Sequence, residues 1–122
     1  WNIALDTRGG PDYYYLCNDH THSSNRGLLT VDRRTGECTR NADYYALGHF
    51  SKFVPIGSHC ITSELREAQR LHAAAFATPD GAVAAVLCNE RVDPATLRID
   101  VRGRESQTLA LPARSLTTVV FD

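Results

Sequence analysis

The sequence predicts a mainly β fold: an antiparallel β-sandwich preceded by an apolar strand, a hairpin and one helix. Three observations predict it. From Ile56 onward, short apolar or alternating runs are separated by turn signals at close intervals, which is the spacing of a sandwich. Only residues 42 to 53 carry an apolar repeat of helical period. Finally, 43% hydrophobic and 22% charged residues in a chain of 122 is the composition of one globular domain long enough to bury a core.

Taken in order, Ile3, Ala4 and Leu5 make a short apolar strand, and a long loop follows through Gly9-Gly10-Pro11 and the polar run DHTHSSNRG. GLLTVD and GECTR then read as the arms of a hairpin around Arg33 to Gly36. Asn41 stands at the N-cap of the helix, and Asp43 in its first turn, where the macrodipole favours negative charge. Ala42, Tyr45, Ala46, His49, Phe50 and Phe53 recur at helical spacing and share one face, expected to be buried against a sheet or barrel. Pro55 and Gly57 end the helix. HCITS at 59 to 63 opens the sandwich, and SELREAQR at 63 to 70 is a charged connection with too little apolar surface for a core helix. HAAAFA and AVAAVLC flank the turn Thr78-Pro79-Asp80-Gly81. LRIDV alternates Leu97, Ile99 and Val101 with Arg98 and Asp100, and QTLAL and SLTTVVF complete the set.

Charge excludes some partners. Thirteen basic and fourteen acidic residues give a formal charge of −1 and are scattered, with only Arg33-Arg34 adjacent, so neither nucleic acid nor an anionic membrane surface has electrostatic support. No run approaches the roughly 20 apolar residues of a membrane span, and the opening WNIALDTRGG lacks the pattern of a signal peptide. The chain has no methionine and opens on Trp1 inside an apolar run, which reads as a piece of a longer polypeptide.

Candidate sites compete with structural explanations. Cys17, Cys38, Cys60 and Cys88 form no CxxC pair, so no metal site is expected. Cys60 and Cys88 lie in strand-like runs and are expected to be buried thiols. Cys17 and Cys38 lie by polar loops, where both a disulfide and free thiols stay open. Asp19 to His22 (DHTH) reads as solvated loop, and His49 with Lys52 as helix packing beside Phe50 and Phe53. Glu37, Asp43, Glu64, Glu67, Glu90, Asp93 and Glu105 mostly flank turns, and none has the placement of a barrel nucleophile.

The order WNIALD, GGP, GLLTVD…TGE, YYALGHFSKFVPIGS, PDG before a strand ending LCN, and LPARSLTTVVF resembles the carboxy-terminal third of the family 30 glycoside hydrolases, which include glucosylceramidases. The resemblance covers nearly the whole chain. It implies that residues 1 to 5 belong to the last strand of a (β/α)₈ barrel, that the helix at 42 to 53 is the eighth barrel helix, and that 56 to 122 supply most of an attached sandwich. The expected division is therefore 1–55 as the end of the barrel and 56–122 as the C-terminal sandwich.

By the same resemblance, hydrolysis is retaining and uses two glutamates at the ends of the fourth and seventh barrel strands, both upstream of Trp1, so no catalytic residue is expected in this chain. Trp1 matches a tryptophan that lines the pocket for the non-reducing sugar; the competing reading makes it a structural core residue. The implied partners are a β-linked glycoside and the remaining catalytic barrel, with no cofactor, and a secreted or lysosome-like compartment is suggested by the resemblance alone. After Pro11 the stretch DYYYLCNDH departs from the lysosomal members, so ceramide recognition does not carry over. The alternative is a free-standing sandwich that binds carbohydrate or a protein. Beyond Phe53 its only aromatics are Phe76 and Phe121, both in strand-core patterns, which disfavours it.

Overall fold

The structure, a computed structural model, describes residues 2–7, 9–10, 26–66 and 69–122. Its elements are β1 (Asn2–Asp6), β2 (Gly27–Val31), β3 (Cys38–Arg40), α1 (Ala42–Ser51), β4 (His59–Ile61), β5 (Leu71–Ala77), β6 (Val83–Asn89), β7 (Ala95–Ile99), β8 (Gln107–Leu111) and β9 (Ser115–Phe121). The described residues are mainly β with one short helix, as the sequence predicts. They form two compact units, Trp1–Leu47 and Gly48–Asp122.

In the first unit the strands lie in the order β1-β2-β3, with β1 parallel to β2 and β2 antiparallel to β3. Asn2 is paired with Gly27, where a Cβ would stand 2.8 Å from the Leu29 carbonyl oxygen and 3.1 Å from the Leu5 nitrogen, so main chain of both β2 and β1 leaves room only for glycine. The expected β2–β3 hairpin is present. Its turn is held by Asp32, whose Oδ1 accepts from the backbone N–H groups of Arg34 (2.7 Å) and Thr35 (3.2 Å), the local bonding that makes aspartate a turn residue.

Asn41 precedes the helix as expected, but its side chain does not cap it. Nδ2 donates instead to the Gly27 carbonyl (2.8 Å) and to Thr30 Oγ1 (3.0 Å). The side chain therefore ties the helix entry to β2, while the Asn41 carbonyl accepts from Tyr44 N–H (3.0 Å). The helical hydrogen bonding runs on to Val54 and stops before Pro55, because the residue preceding proline is pushed out of the α region.

The second unit holds a four-stranded antiparallel sheet, β4-β5-β6-β9, and a two-stranded sheet, β7-β8. Register separates the two faces of the larger sheet. Ala75, Ala85 and Val119 are level with one another and share a face with Leu87, Asn89 and Phe121; Phe76, Ala84 and Val120 share the other with Val86 and Thr118. The first face meets the β7-β8 hairpin, whose Ala95, Leu97, Leu109 and Leu111 point inward while Thr96, Arg98, Thr108 and Ala110 are exposed. On the second face, the C-terminal end of α1 lies over the sheet. Phe50 meets Phe76 edge-on, with ring centroids 6.1 Å apart, and His49 Nδ1 is 2.8 Å from Thr118 Oγ1.

Coverage on both faces explains the composition of the sheet centre. Ala84, Ala85, Val86 and Leu87 are all buried, so β6 shows a continuous apolar run rather than alternation. Alanine is a weak strand former, and its abundance in β5 and β6 reflects the space the covering layers leave.

The helix departs from expectation. None of its residues is buried, and Tyr45 and Phe50 are 58% and 40% exposed. Among the described residues, its contacts with the larger sheet come from the last turn, through Phe50 on Phe76 and His49 on Thr118. Phe50→Ala is therefore expected to cost less than the about 3–5 kcal/mol of a fully buried phenylalanine. Cys60 likewise is exposed, because β4 is the sheet edge and has a neighbour on one side only.

Asn89, 1% exposed, joins the two sheets. Its Nδ2 donates toward the carbonyls of Pro112 (2.8 Å), Asp93 (3.1 Å) and Leu111 (3.2 Å), and its Oδ1 accepts from Arg91 N–H (3.0 Å). Asn89→Ala would strand several of these buried groups and is expected to lower unfolding free energy by about 2–4 kcal/mol in urea titration. Val92→Ala, at an exposed position of the same turn, should stay within about 0.5 kcal/mol of the parent.

The β5–β6 turn rests on Asp80, which accepts from the Thr78 hydroxyl; that bond, then the one from Ala82 N–H, holds its carboxyl below the ordinary aspartate range. Asp100 is lowered in the same sense, first by Ser106 and then by Arg98. A carboxyl lowered in the folded state stabilises it above its unfolded pKa, and that contribution is lost as pH falls through the folded value. NMR titration should find both midpoints below the unfolded aspartate value, with Thr78→Val raising that of Asp80; an unmoved midpoint would contradict the assigned cause.

Candidate functional site

Trp1, the DHTH run and Cys17 lie outside the described residues. Beyond Trp1, the structure describes β1, and its carboxyl end carries a group the sequence reading passed over. Asp6 is buried, with its side chain 7% exposed. Its Oδ1 accepts from Gly10 N–H (2.9 Å), its own N–H donates to the Gly10 carbonyl (2.7 Å), and its carbonyl accepts from Gly9 N–H (3.0 Å). Gly9 takes φ 78°, a left-handed value that suits glycine. One residue thus closes the turn after β1 with both main chain and side chain.

The other oxygen of Asp6 faces Arg33 in the β2–β3 turn, with Nη1 to Oδ2 at 3.5 Å. Arg33 is 72% exposed, so this pair contributes no more than about 1 kcal/mol, and the turn bonds hold Asp6 more firmly. The sequence signal was present: an aspartate ending an apolar strand, with Gly-Gly three and four residues on, is a turn-closing pattern.

Glu67 also lies outside the described residues, and several of the other candidates have neighbours within the fold. His49 lies with Nδ1 2.8 Å from Thr118 Oγ1, and Lys52 Nζ lies over the Phe53 ring, 5.1 Å from its centre. Asp43 sits 3.4 Å from Arg26, Glu64 3.3 Å from Arg66 and Glu90 3.5 Å from His72. The Asp43 oxygen facing Arg26 is fully enclosed yet has no well-aligned donor, so that contact is a charge pair rather than a hydrogen bond. Cys38, Cys60 and Cys88 are free thiols. Cys88 is half-buried, and burial, then Glu90, pushes its thiol up, which leaves little thiolate for reaction. Among the described residues, no three of His, Cys, Asp and Glu are arranged to hold a metal, and no helix is long and apolar enough to cross a membrane.

The fold and its joining residues define a β-sandwich domain with a short β–helix segment before it. Residues 57–119 match the model of the glycosyl hydrolase family 30 beta sandwich domain, and the chain belongs to that family. Sequence similarity extends past the sandwich. "Putative glucosylceramidase 3" of Caenorhabditis elegans is 32% identical over 122 residues, 99% of this chain and 22% of that protein. Lysosomal acid glucosylceramidase of Mus musculus is 31% identical over 99 residues, 81% of this chain and 18% of that protein. This chain thus spans about a fifth of the curated relatives it matches. Among solved structures, SrfJ from Salmonella typhimurium superposes with a TM-score of 0.82 at 26% identity, over 99% of this chain and 25% of that one. The endo-β1,6-glucanase BT3312 gives 0.80 at 23% identity, over 97% and 25%, which is a likeness of fold alone.

Proposed function

We propose that this chain is the carboxy-terminal part of a retaining β-glycosidase that hydrolyses β-glucosides, glucosylceramide or related β-linked glycans among them. The observation that carries the reading is the alignment of 99% of the chain to a glucosylceramidase-named relative, which reaches beyond the sandwich into β1 and α1. In this reading residues 1–55 close the catalytic barrel and 56–122 form the sandwich. The exposed apolar face of α1 suits a helix that packs on barrel elements outside this chain.

Retaining hydrolysis requires a nucleophile and an acid/base, two carboxyl groups roughly 5 Å apart across the glycosidic bond. In the proposal both come from the barrel portion, and this chain contributes a pocket wall through Trp1. An indole there covers the apolar face of the non-reducing pyranose. In this reading residues 1–5, most of β1, belong to the last barrel strand.

Two measurements test this. Purified residues 1–122 should turn over an aryl β-glucoside only at background rate, and activity abolished by changing one of the chain's own carboxylates would refute the assignment of catalysis elsewhere. In the intact enzyme, Trp1→Ala should lower kcat/KM by roughly 5- to 150-fold, the equivalent of about 1–3 kcal/mol of lost contact, with cooperative unfolding retained. Full activity with a much lower melting temperature would make Trp1 a core residue.

A further inference from the structure

We infer that Arg70, Arg91 and Arg114, gathered at one end of the larger sheet, form a binding site for a single dianionic oxyanion, phosphate or sulfate, free or as a monoester. More than twenty positions separate each arginine from the next, which is why these charges look scattered along the sequence. Strand pairing gathers them. Leu71, Asn89 and Ser115 stand level across β5, β6 and β9, and the three arginines lie one or two residues beyond that row. Glu90 N–H donates to the Arg70 carbonyl and Arg114 N–H to the Arg91 carbonyl, both at 3.0 Å, so main-chain bonds set the spacing of all three. Arg70 and Arg114 flank the end of β6 and stand about two strand spacings, roughly 10 Å, apart. Two long guanidinium side chains can close that gap.

Two further observations single these residues out. Among the described residues, Arg70 and Arg114, with φ of 58° and 49°, are the only ones other than glycine to take a positive φ. Glycine and asparagine are the usual occupants of that backbone, and an outlier that the fold maintains points to function. Arginine thus stands twice where a turn alone would favour glycine. The second observation concerns partners. Arg26, Arg33, Arg66 and Arg98 each face a carboxylate, whereas among the described residues the guanidinium groups of Arg70, Arg91 and Arg114 make neither an ion pair nor a hydrogen bond, and all three residues are exposed. Glu90, the acidic residue between them, has its carboxylate 3.5 Å from His72 Nε2. Three uncommitted cations beside one engaged carboxylate leave a positive pole. Nucleic acids need many phosphate contacts and this pole is too small for them, but three planar, fork-shaped donors match the oxygens of one tetrahedral dianion.

The inference goes beyond the glycosidase reading and does not depend on it, because the test reads binding rather than turnover. In isothermal titration of the intact protein that contains this chain, at low ionic strength, inorganic phosphate and inorganic sulfate should each bind saturably and chloride should not. Arg91→Ala is expected to weaken that binding about tenfold, the effect of losing one charge-assisted hydrogen bond. Arg70→Gly and Arg114→Gly should each weaken it similarly while the melting temperature holds or rises, since glycine relieves the left-handed backbone. Arginines kept for stability alone would not separate those two readouts. Arg102→Ala, at an exposed position of the 100–106 turn, should leave the affinity unchanged. Glucose 6-phosphate binding more tightly than inorganic phosphate would identify an ester as the source, and equal or weaker binding would identify the free ion. Failure of the unmodified protein to bind either dianion would overturn the site, and so would an affinity that survives Arg70→Gly, Arg91→Ala and Arg114→Gly combined.

Discussion

The sandwich unit depends on one buried amide. Asn89 sits where three pieces of chain end: the last position of β6, the 90–93 turn and the approach to β9. Hydrophobic contact alone would let the β7-β8 hairpin slide over the larger sheet, since apolar surfaces carry little directional preference. Hydrogen bonds from one side chain to the Leu111, Pro112 and Asp93 carbonyls do not permit that. In a water-poor site each is costly to leave unmade, so the amide sets register between the layers as well as adding stability.

From that fixed point the rest of the unit follows. With the hairpin seated on one face, the other face of the sheet is left to the end of α1, through Phe50 on Phe76 and His49 on Thr118. A sheet packed on both sides needs small residues at its centre, and β5 and β6 supply alanine where an open-faced sheet would alternate apolar with polar. Tight approach recurs in the connections. Gly57 has φ 94°, and a Cβ there would come within 3.1 Å of the Pro79 ring, so this turn lies directly against the β5–β6 turn.

Much of this was legible in the sequence, because strands and tight turns are local events. Alternation in LRIDV marked β7, and Thr-Pro-Asp-Gly marked the turn between β5 and β6. Long-range partners were less so. Nothing local distinguishes an asparagine that caps a helix from one that turns back to β2, as Asn41 does. The helical period of residues 42 to 53 predicted a buried face, yet no residue of α1 is buried, because cover depends on long-range packing that a local period does not report. Cys60 read as a core thiol because its run is apolar; that β4 is an edge strand depends on which strands pair. Asp6 was missed because only its turn chemistry was visible, whereas its burial and its reach to Arg33 depend on the parallel pairing of β1 with β2, set by residues more than twenty positions apart. Trp1 was read from family resemblance, and its role in the intact protein is a matter for kinetics.

The order of pairing in the larger sheet has a kinetic consequence. β5 and β6 are joined by residues 78–82 and β7 and β8 by residues 100–106, so both pairs can zip locally, whereas β9 must find β6 across residues 90–114. Closing that loop is the entropically expensive step. Because the Leu111 and Pro112 carbonyls lie just ahead of β9, the acceptors of Asn89 arrive with the strand that closes the loop. The amide is thus rewarded late, which couples the docking of two local hairpins into one cooperative event and leaves little gain for a half-assembled sandwich.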